Sequence, residues 1–198
     1  MEISFLAYYI YKHSITLSNT GSKKPMEKIK IRRITIIDID QLKEIGKLTF
    51  EETYSSQNSK ENIKEYLENE FSTDKLNIEL LDKNSEFYFA ELEGKTIGYL
   101  KINFGHSQTE IKDENTLEIE RIYVLKEFQG KKVGQLLYEK AVGIAKQKVI
   151  SYVWLGVWEK NTSAIRFYEK NGLVAFDKHI FKLGNDKQTD IMMKLKLH

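Results

Sequence analysis

One stretch decides the fold, and it contains LEIERIYV (117–124), QGKKVG (129–134), YVWLGVW (152–158) and NTSAIRFY (161–168). LEIERIYV alternates apolar and polar residues as a strand does, and QGKKVG is a glycine-containing turn before an amphipathic helix. YVWLGVW is apolar at almost every position, which predicts a strand buried on both faces and paired in parallel with a neighbour. Because the start of a helix offers free N–H groups and a positive dipole end, this order predicts a site for a phosphate-bearing cofactor.

Length and composition indicate one globular domain. The chain has 198 residues, of which 41% are hydrophobic and 30% charged. Its 31 basic and 29 acidic residues leave a formal net charge of +2, so it lacks the broad positive surface that nucleic-acid binding requires. Cysteine is absent, which excludes disulfides and thiolate metal sites and fits a reducing, cytoplasmic location. With four scattered histidines, we expect no metal centre.

The N-terminal residues 1–25 differ from the rest of the chain. The apolar run ISFLAYYIY (3–11) is too short to span a bilayer, and Glu2 replaces the basic start of a signal peptide. An interface arm or a membrane-touching arm is one interpretation. The linker-like composition that follows favours a dispensable extension, with Met26 as an alternative start and 26–198 as the domain. We expect no membrane partner.

Local patterns predict an alternation of strands and helices along the domain. Asp38 and Gln41 have the form of a capping box that opens the first helix. Glu93-Gly94 predicts a hairpin turn. Strands are predicted at 29–35, 86–92, 96–104, 117–124, 152–158, 173–183 and 189–197, and helices after Asp38, around 63–71, at 73–83, after the glycine turn and at 162–170.

The central strand carries two acids. Strict alternation places Glu118 and Glu120 on one face with Ile122 and Val124. A buried carboxyl group has a raised pKa, which suits a proton acceptor. Two acids on a strand can equally be solvated or paired, here with Arg121, and both interpretations stay open.

The order strand, Q-x-x-x-x-G turn, helix, buried strand and N-x-x-A-x-x-F-Y helix resembles the GCN5-related N-acetyltransferases (GNAT superfamily) over nearly all of 26–198. ERIYV, WEKN (158–161) and AIRFYEKNG (164–172) carry this resemblance at the family's spacing. It implies an α/β (α+β) fold, with a mixed sheet of about six to seven strands splayed between its two central parallel strands and about four to five flanking helices. More narrowly, LEIERIYV, WLGVWEKN and QTDIMMKLKL resemble the PaiA-type spermidine/spermine N-acetyltransferases.

The resemblance implies acetyl-CoA as co-substrate and no metal. Its pantetheine would pair with the central strand, and its pyrophosphate would lie on the glycine turn. The implied cofactor-binding residues are Ile122, Tyr123, Val124, Gln129, Gly130, Lys131, Lys132, Val133, Gly134, Gln135, Asn161, Ala164 and Tyr168. Lys132 departs from the family's glycine. A positive φ at this position would strain a lysine, which places cofactor affinity in question.

Acetyl transfer to an amine needs a base and an acid. A primary amine with a pKa of about 10.4 is almost wholly protonated at pH 7. Glu120 is the candidate proton acceptor, directly or through water, and a backbone N–H near Val124 would meet the oxyanion. The resemblance places Tyr168 beside the cofactor sulfur as the acid that protonates the thiolate. The other interpretation of Tyr168 is a core aromatic next to Phe167.

The substrate implied by the narrower resemblance is a polyamine, and a cation needs acidic walls. Glu51, Glu52 and Glu118 are the candidate substrate-binding residues. Two rivals stay open: an acetyltransferase for another amine, such as a protein N-terminus, an aminoglycoside or an amino acid, and a non-catalytic acyl-CoA-binding regulatory module. Monomer and homodimer are both compatible with the sequence.

Overall fold

The computed structural model describes residues 28–183 and 186–198. In this part the chain forms β1 Lys30–Arg33, α1 Ile39–Tyr54, α2 Lys60–Glu70, α3 Thr73–Leu81, β2 Ser85–Leu92, β3 Lys95–Phe104, β4 Thr116–Val124, α4 Val133–Gln147, β5 Tyr152–Trp158, α5 Thr162–Lys170, β6 Val174–Leu183 and β7 Asp186–Lys196. The predicted extension 1–25 and its boundary at Met26 lie outside the described residues.

The strands form one seven-stranded mixed sheet in the order β1-β2-β3-β4-β5-β7-β6. Only the central pair, β4 with β5, is parallel, and the other five pairings are antiparallel. Glu93 and Gly94 both have positive φ, +52° and +79°, as a tight two-residue hairpin between β2 and β3 requires. The mixed fold predicted from the sequence is confirmed, with strand and helix bounds close to those expected.

The two central strands separate soon after they meet. Their ladder consists of Thr116–Tyr152, Leu117–Val153 and Glu118–Trp154. Beyond these pairs β4 stays on β3 and β5 stays on β7, so their facing edges diverge. A parallel sheet in which two strands part leaves backbone groups free for a ligand. The predicted splay is confirmed.

The sheet is covered on both faces. On one face α4 packs through the positions Val133, Leu137, Ala141, Ile144 and Ala145, all buried. On the other face α1, α2 and α3 bury Leu42, Ile45, Phe50, Ile63, Leu67 and Leu76. These residues recur at helical spacing, so each helix offers one apolar stripe to the sheet. Among the described residues, no helix has the length and apolar composition needed to cross a membrane.

A β-bulge at Glu120 overturns the expected pattern of β4. The strand places residues 119–121 opposite only two residues of β3. The extra residue resets the alternation. Ile122 and Val124 therefore pack in the α4 core, while Glu118 and Glu120 face the side of α1 and α2. The prediction that these two acids share a face with Ile122 and Val124 is wrong.

The predicted capping box at the start of α1 is also wrong. The Asp38 carboxylate accepts hydrogen bonds from the Thr35 backbone N–H at 2.8 Å and from the Arg32 guanidinium at 3.0 Å. Gln41 donates instead to Thr96 Oγ1 at 2.6 Å, across to β3. Asp38 closes a preceding 3₁₀ turn that the sequence pattern did not separate from the helix.

Candidate active site

The glycine turn delivers the start of α4 without a cap. Lys132 occupies the N-cap position, and its side chain makes no capping hydrogen bond. The first intrahelical bond at this end runs from the Leu136 N–H to the Lys132 carbonyl at 3.1 Å. The N–H groups of 133–135 therefore point out of the helix end without helical partners. Together with the Lys131 and Lys132 ammonium groups, this donor set fits a pyrophosphate.

Lys132 does adopt the left-handed conformation. Its φ is +66°, and that of Gly130 is +75°. A non-glycine residue in this region bears a cost of about 1–2 kcal/mol. The sequence predicts strain at Lys132 if its φ is positive, and its φ is positive.

The free edge of β4 lies directly beside this turn. Gln129 Nε2 donates to the Val124 carbonyl at 3.2 Å. A Cβ on Gly134 would lie 3.8 Å from Val124 Cγ2, an ordinary contact distance. The structure thus brings the predicted strand residues Ile122, Tyr123 and Val124 against the start of α4.

The remaining predicted cofactor residues lie on α5. Asn161 caps this helix by accepting the Ala164 N–H at 3.1 Å. Tyr168 is 7% exposed and belongs to the apolar cluster that Ile122, Val124 and Ala164 join. Burial raises the pKa of the Tyr168 hydroxyl above its usual value, so this hydroxyl is protonated at neutral pH. Strand edge, helix start and tyrosine therefore lie around one cleft.

A second feature is a cavity of about 440 Å³ between β4, the β6–β7 hairpin and the helices α1 and α2. Aromatic rings and carboxylates dominate its walls. These residues are Phe50, Tyr54, Tyr66, Phe71, Tyr123 and Phe181 among the aromatics, and Glu70, Glu110, Glu118, Glu120 and Asp190 among the acids. Such walls suit an organic cation. In the described part of the chain no group of His, Asp or Glu is arranged to hold a metal ion.

Glu120 is paired on several sides. Lys101 Nζ lies 2.6 Å and Arg121 Nη2 lies 3.2 Å from its carboxylate, and Asn103 also donates to it. Glu79 neutralises the same cations, at 2.9 Å from Lys101 and 3.0 Å from Arg121. Burial alone would raise the pKa of Glu120, but the two positive charges outweigh it and lower the pKa to about 2. Of the interpretations left open, pairing with Arg121 is confirmed.

Glu118 is buried beside it, only 3% exposed. Its carboxylate accepts the Thr109 N–H at 2.8 Å, the Thr109 hydroxyl, and Asn103 Nδ2 at 3.1 Å. Burial raises its pKa despite these hydrogen bonds. Glu118 therefore lines the cavity as predicted, with its oxygens already bonded to the protein.

Glu51 and Glu52 are not in this cavity. Glu51 lines a separate depression between α1 and α2, and Glu52 accepts the Lys126 N–H at 2.8 Å. The α1 residues that line the cavity are Phe50 and Tyr54, which lie one turn apart. Because successive side chains of a helix are rotated by about 100°, Glu51 and Glu52 point away from the face that Phe50 and Tyr54 present. The expected convergence of these two acids with Glu118 is not found.

The sequence interpretation missed the opposite wall, formed by Asp190 and His179. His179 Nε2 lies 3.7 Å from Asp190 Oδ2, and both stand over Gly156 of β5. A Cβ on Gly156 would lie 3.1 Å from His179 Cε1. A glycine inside an otherwise apolar strand signals a close approach, so Gly156 was the available clue.

Comparison with known proteins agrees with this geometry. The family described as Acetyltransferase (GNAT) family matches residues 40–173. The chain is 40% identical over 172 residues, 87% of its length and 99% of the relative, to the "uncharacterized N-acetyltransferase in pepI 3′ region" of Lactobacillus delbrueckii subsp. lactis. It is 28% identical over 172 residues, 85% of its length and 97% of the relative, to the spermidine N(1)-acetyltransferase of Thermoplasma acidophilum.

Among solved structures, the chain resembles the PaiA N-acetyltransferase from Thermoplasma acidophilum in complex with coenzyme A. The TM-score is 0.72 at 27% identity, covering 86% of this chain and 99% of that one. A neighbour that holds coenzyme A supports acetyl-CoA binding by this chain. Since the family match spans most of the chain and the splayed sheet agrees with it, this protein belongs to the acetyltransferase (GNAT) family and is an N-acetyltransferase.

Proposed function

We propose that this enzyme transfers the acetyl group of acetyl-CoA to a primary amine of a polyamine such as spermidine or spermine, by direct attack in a ternary complex. The observation that carries the proposal is the cavity lined by carboxylates and aromatic rings on the β4 side of the cleft. A polyamine has several ammonium groups joined by short apolar chains. Carboxylates bind the ammonium groups, and aromatic faces accommodate both the ammonium groups and the apolar chains.

The similarity to a named spermidine N(1)-acetyltransferase supports this acceptor class. Acidic walls favour a cation over a neutral or anionic acceptor, because each carboxylate attracts the ammonium group in a partly buried site of reduced dielectric. Acceptors with a single positive charge would use fewer of these groups. We therefore expect polyamines to be preferred over amino acids and peptides.

Each element of the cleft has a proposed task. When bound, acetyl-CoA supplies an acyl group activated as a thioester. The N–H groups at 133–135 and the two lysines of the turn hold its phosphates, and the edge Ile122–Val124 aligns its pantetheine, with Asn161 and Ala164 at the start of α5 alongside. A backbone N–H near Val124 polarises the acyl carbonyl. Tyr168, held protonated by burial, donates its proton to the departing sulfur.

Thiol release from acetyl-CoA across a panel of amines tests the proposal. The panel contains spermidine, spermine, an N-terminal peptide, an aminoglycoside and an amino acid. We expect release with the two polyamines at the highest kcat/KM. Release with another amine but not with polyamines would refute the acceptor class, and release with none would favour a non-catalytic acyl-CoA-binding module.

Tyr168→Phe tests the proton donor in the same assay. Loss of the hydroxyl should lower kcat by about 100-fold or more while the fold is kept. Tyr138→Phe is the matched control, because Tyr138 is a buried tyrosine of α4 in the same apolar cluster, 4% exposed, and has no proposed role in catalysis. Equal activity of the two variants would show that Tyr168 is only a core aromatic.

A further inference from the structure

The cavity proposed to bind the acceptor amine, called the acceptor cavity, has two acidic walls. The walls differ in how many hydrogen bonds and ion pairs their carboxylates already make with protein groups. On the β4 wall, Glu120 is bonded to Lys101, Arg121 and Asn103. Glu118 on the same strand accepts three hydrogen bonds from protein donors. A carboxylate whose oxygens are occupied by fixed cations and donors is a poor acceptor for a further proton.

Asp190 on β7 forms the other wall. Within residues 28–183 and 186–198 its carboxylate accepts no hydrogen bond, and its ion-pair contact, His179 Nε2 at 3.7 Å, is longer than a hydrogen bond. The side chain is only 17% exposed. A carboxylate that is mostly withdrawn from water and lacks a hydrogen-bond donor has capacity to accept hydrogen bonds from a ligand. Burial also raises the pKa of Asp190, which suits it for accepting a proton.

Asp190 lines the cavity together with Tyr123, which belongs to the splayed part of β4. It is directly opposite Trp158, the last residue of β5. Burial and, to a lesser degree, the charge of Asp190 raise the pKa of the Tyr123 hydroxyl. Burial and, to a lesser degree, Tyr123 raise the pKa of the Tyr168 hydroxyl. Tyr123 thus interacts electrostatically with both Asp190 and the proposed proton donor Tyr168.

We propose that Asp190, rather than Glu120, binds the ammonium group of the acceptor and takes its proton before acyl transfer. This inference rests on the proposed function. One N–H bond of the ammonium breaks and one O–H bond forms on the Asp190 carboxylate, so that R–NH₃⁺ and Asp–COO⁻ become R–NH₂ and Asp–COOH. The freed lone pair of the amine then attacks the acyl carbon and the C–S bond breaks, with the proton of Tyr168 passing to the sulfur. The second proton lost by the amine nitrogen restores Tyr168, and Asp190 returns its own proton to solvent.

His179 has a positioning role in this arrangement. It lies across Asp190 on β6, and its Nδ1 has no hydrogen-bond partner in the described part of the chain. The absence of a side chain at Gly156 gives the imidazole its place. Glu120 keeps a different task, since its charge pairs with Lys101 and with Arg121, which lines the cavity.

The dependence of kcat/KM on pH separates Asp190 from Glu120 as the proton acceptor. An enzyme that binds the ammonium form and deprotonates it has a level kcat/KM from about pH 7.5 to about pH 9, below the amine pKa of about 10.4. An enzyme without the internal base must capture the free amine, so its kcat/KM rises about tenfold per pH unit over that range. The charged or titratable groups facing Asp190 are His179 on β6, Glu159 after β5, Tyr54 on α1 and Tyr123 on β4.

We expect a level profile for the wild-type enzyme with spermidine and a rising profile for Asp190→Asn, with a loss at pH 7 of about 100-fold or more. Glu120→Gln should keep the level profile, although its thermal stability falls. Asp177→Asn is the matched control, because Asp177 is an exposed acid on β6 outside the cavity. It should match the wild type in both rate and profile.

Each remaining outcome overturns the proposal in a distinct way. A level profile in Asp190→Asn, with its melting temperature kept, removes Asp190 from proton transfer. A rising profile in Glu120→Gln assigns the proton to Glu120. A rising profile in the wild type shows that no internal base acts. Absence of thiol release by the wild type with any amine in the panel instead refutes the proposed function itself.

Discussion

Replacing Lys132 by glycine should make the protein more stable and at the same time weaken cofactor binding. Lys132 has a φ of +66° at the N-cap of α4. Relief of this conformation is worth about 1–2 kcal/mol, and removing a cation from the positive end of a helix adds about 0.3–1 kcal/mol. The greater freedom of glycine in the unfolded chain takes back about 0.4–1 kcal/mol. The net expectation is a gain of about 1 kcal/mol in the free energy of unfolding.

Two measurements on Lys132→Gly follow from this estimate. A gain of 1 kcal/mol raises the melting temperature by about 2–4 °C in a domain of this size. Loss of an ammonium near the pyrophosphate costs about 1 kcal/mol of binding, so the Kd for coenzyme A rises about fivefold by calorimetric titration. Stability and cofactor affinity should thus move in opposite directions.

Lys131→Gly provides the control for this pair of effects. Lys131 carries the same charge one position earlier but lacks the positive φ of Lys132. Its replacement should also weaken coenzyme A binding, without the gain in stability. A lower melting temperature for Lys132→Gly, or equal changes in both variants, would refute the assignment of strain to position 132.

Three further predictions concern strain, charge and space. Val149 has a φ of +57° and is 72% exposed, so Val149→Gly should raise the urea-derived free energy of unfolding by about 1 kcal/mol, and a loss would contradict this. The pKa of Glu120 is lowered from 4.5 to about 2, so its stabilisation is complete above about pH 4.5 and is lost as the pH falls toward 2. That loss is of order 3 kcal/mol in acid titrations of stability and should be largely absent in Glu120→Gln. Gly156→Ala should displace His179 and raise KM for the acceptor about tenfold, with KM for acetyl-CoA unchanged in initial-rate kinetics.

The elements around the proposed cofactor cleft were predictable because each of them is local in sequence. The alternating β4, the turn at 129–134 and the helix that carries Tyr168 each have a short pattern, and their order fixes the topology. The sequence raised a positive φ at Lys132 only as a condition, and the structure meets it. The splay of β4 from β5 needed the family resemblance, since no local pattern shows where two strands part.

The acceptor cavity was largely hidden from the sequence. Its walls come from α1, α2, β4 and the β6–β7 hairpin, and only tertiary packing brings Asp190 close to Tyr54. One bulge at Glu120 was enough to reverse the expected facing of β4, because strand alternation fails after a single inserted residue. Glu51 and Glu52 were chosen for charge alone, and the phase of α1 directs them elsewhere.

The short ladder between β4 and β5 has a consequence for how the chain folds. Its three residue pairs join segments 36 residues apart, Thr116 to Tyr152, whereas the β2–β3 hairpin closes from Leu92 to Lys95. Closing the longer loop costs more chain entropy and gains fewer hydrogen bonds. We therefore expect the β4–β5 ladder to form later than the β2–β3 hairpin during folding.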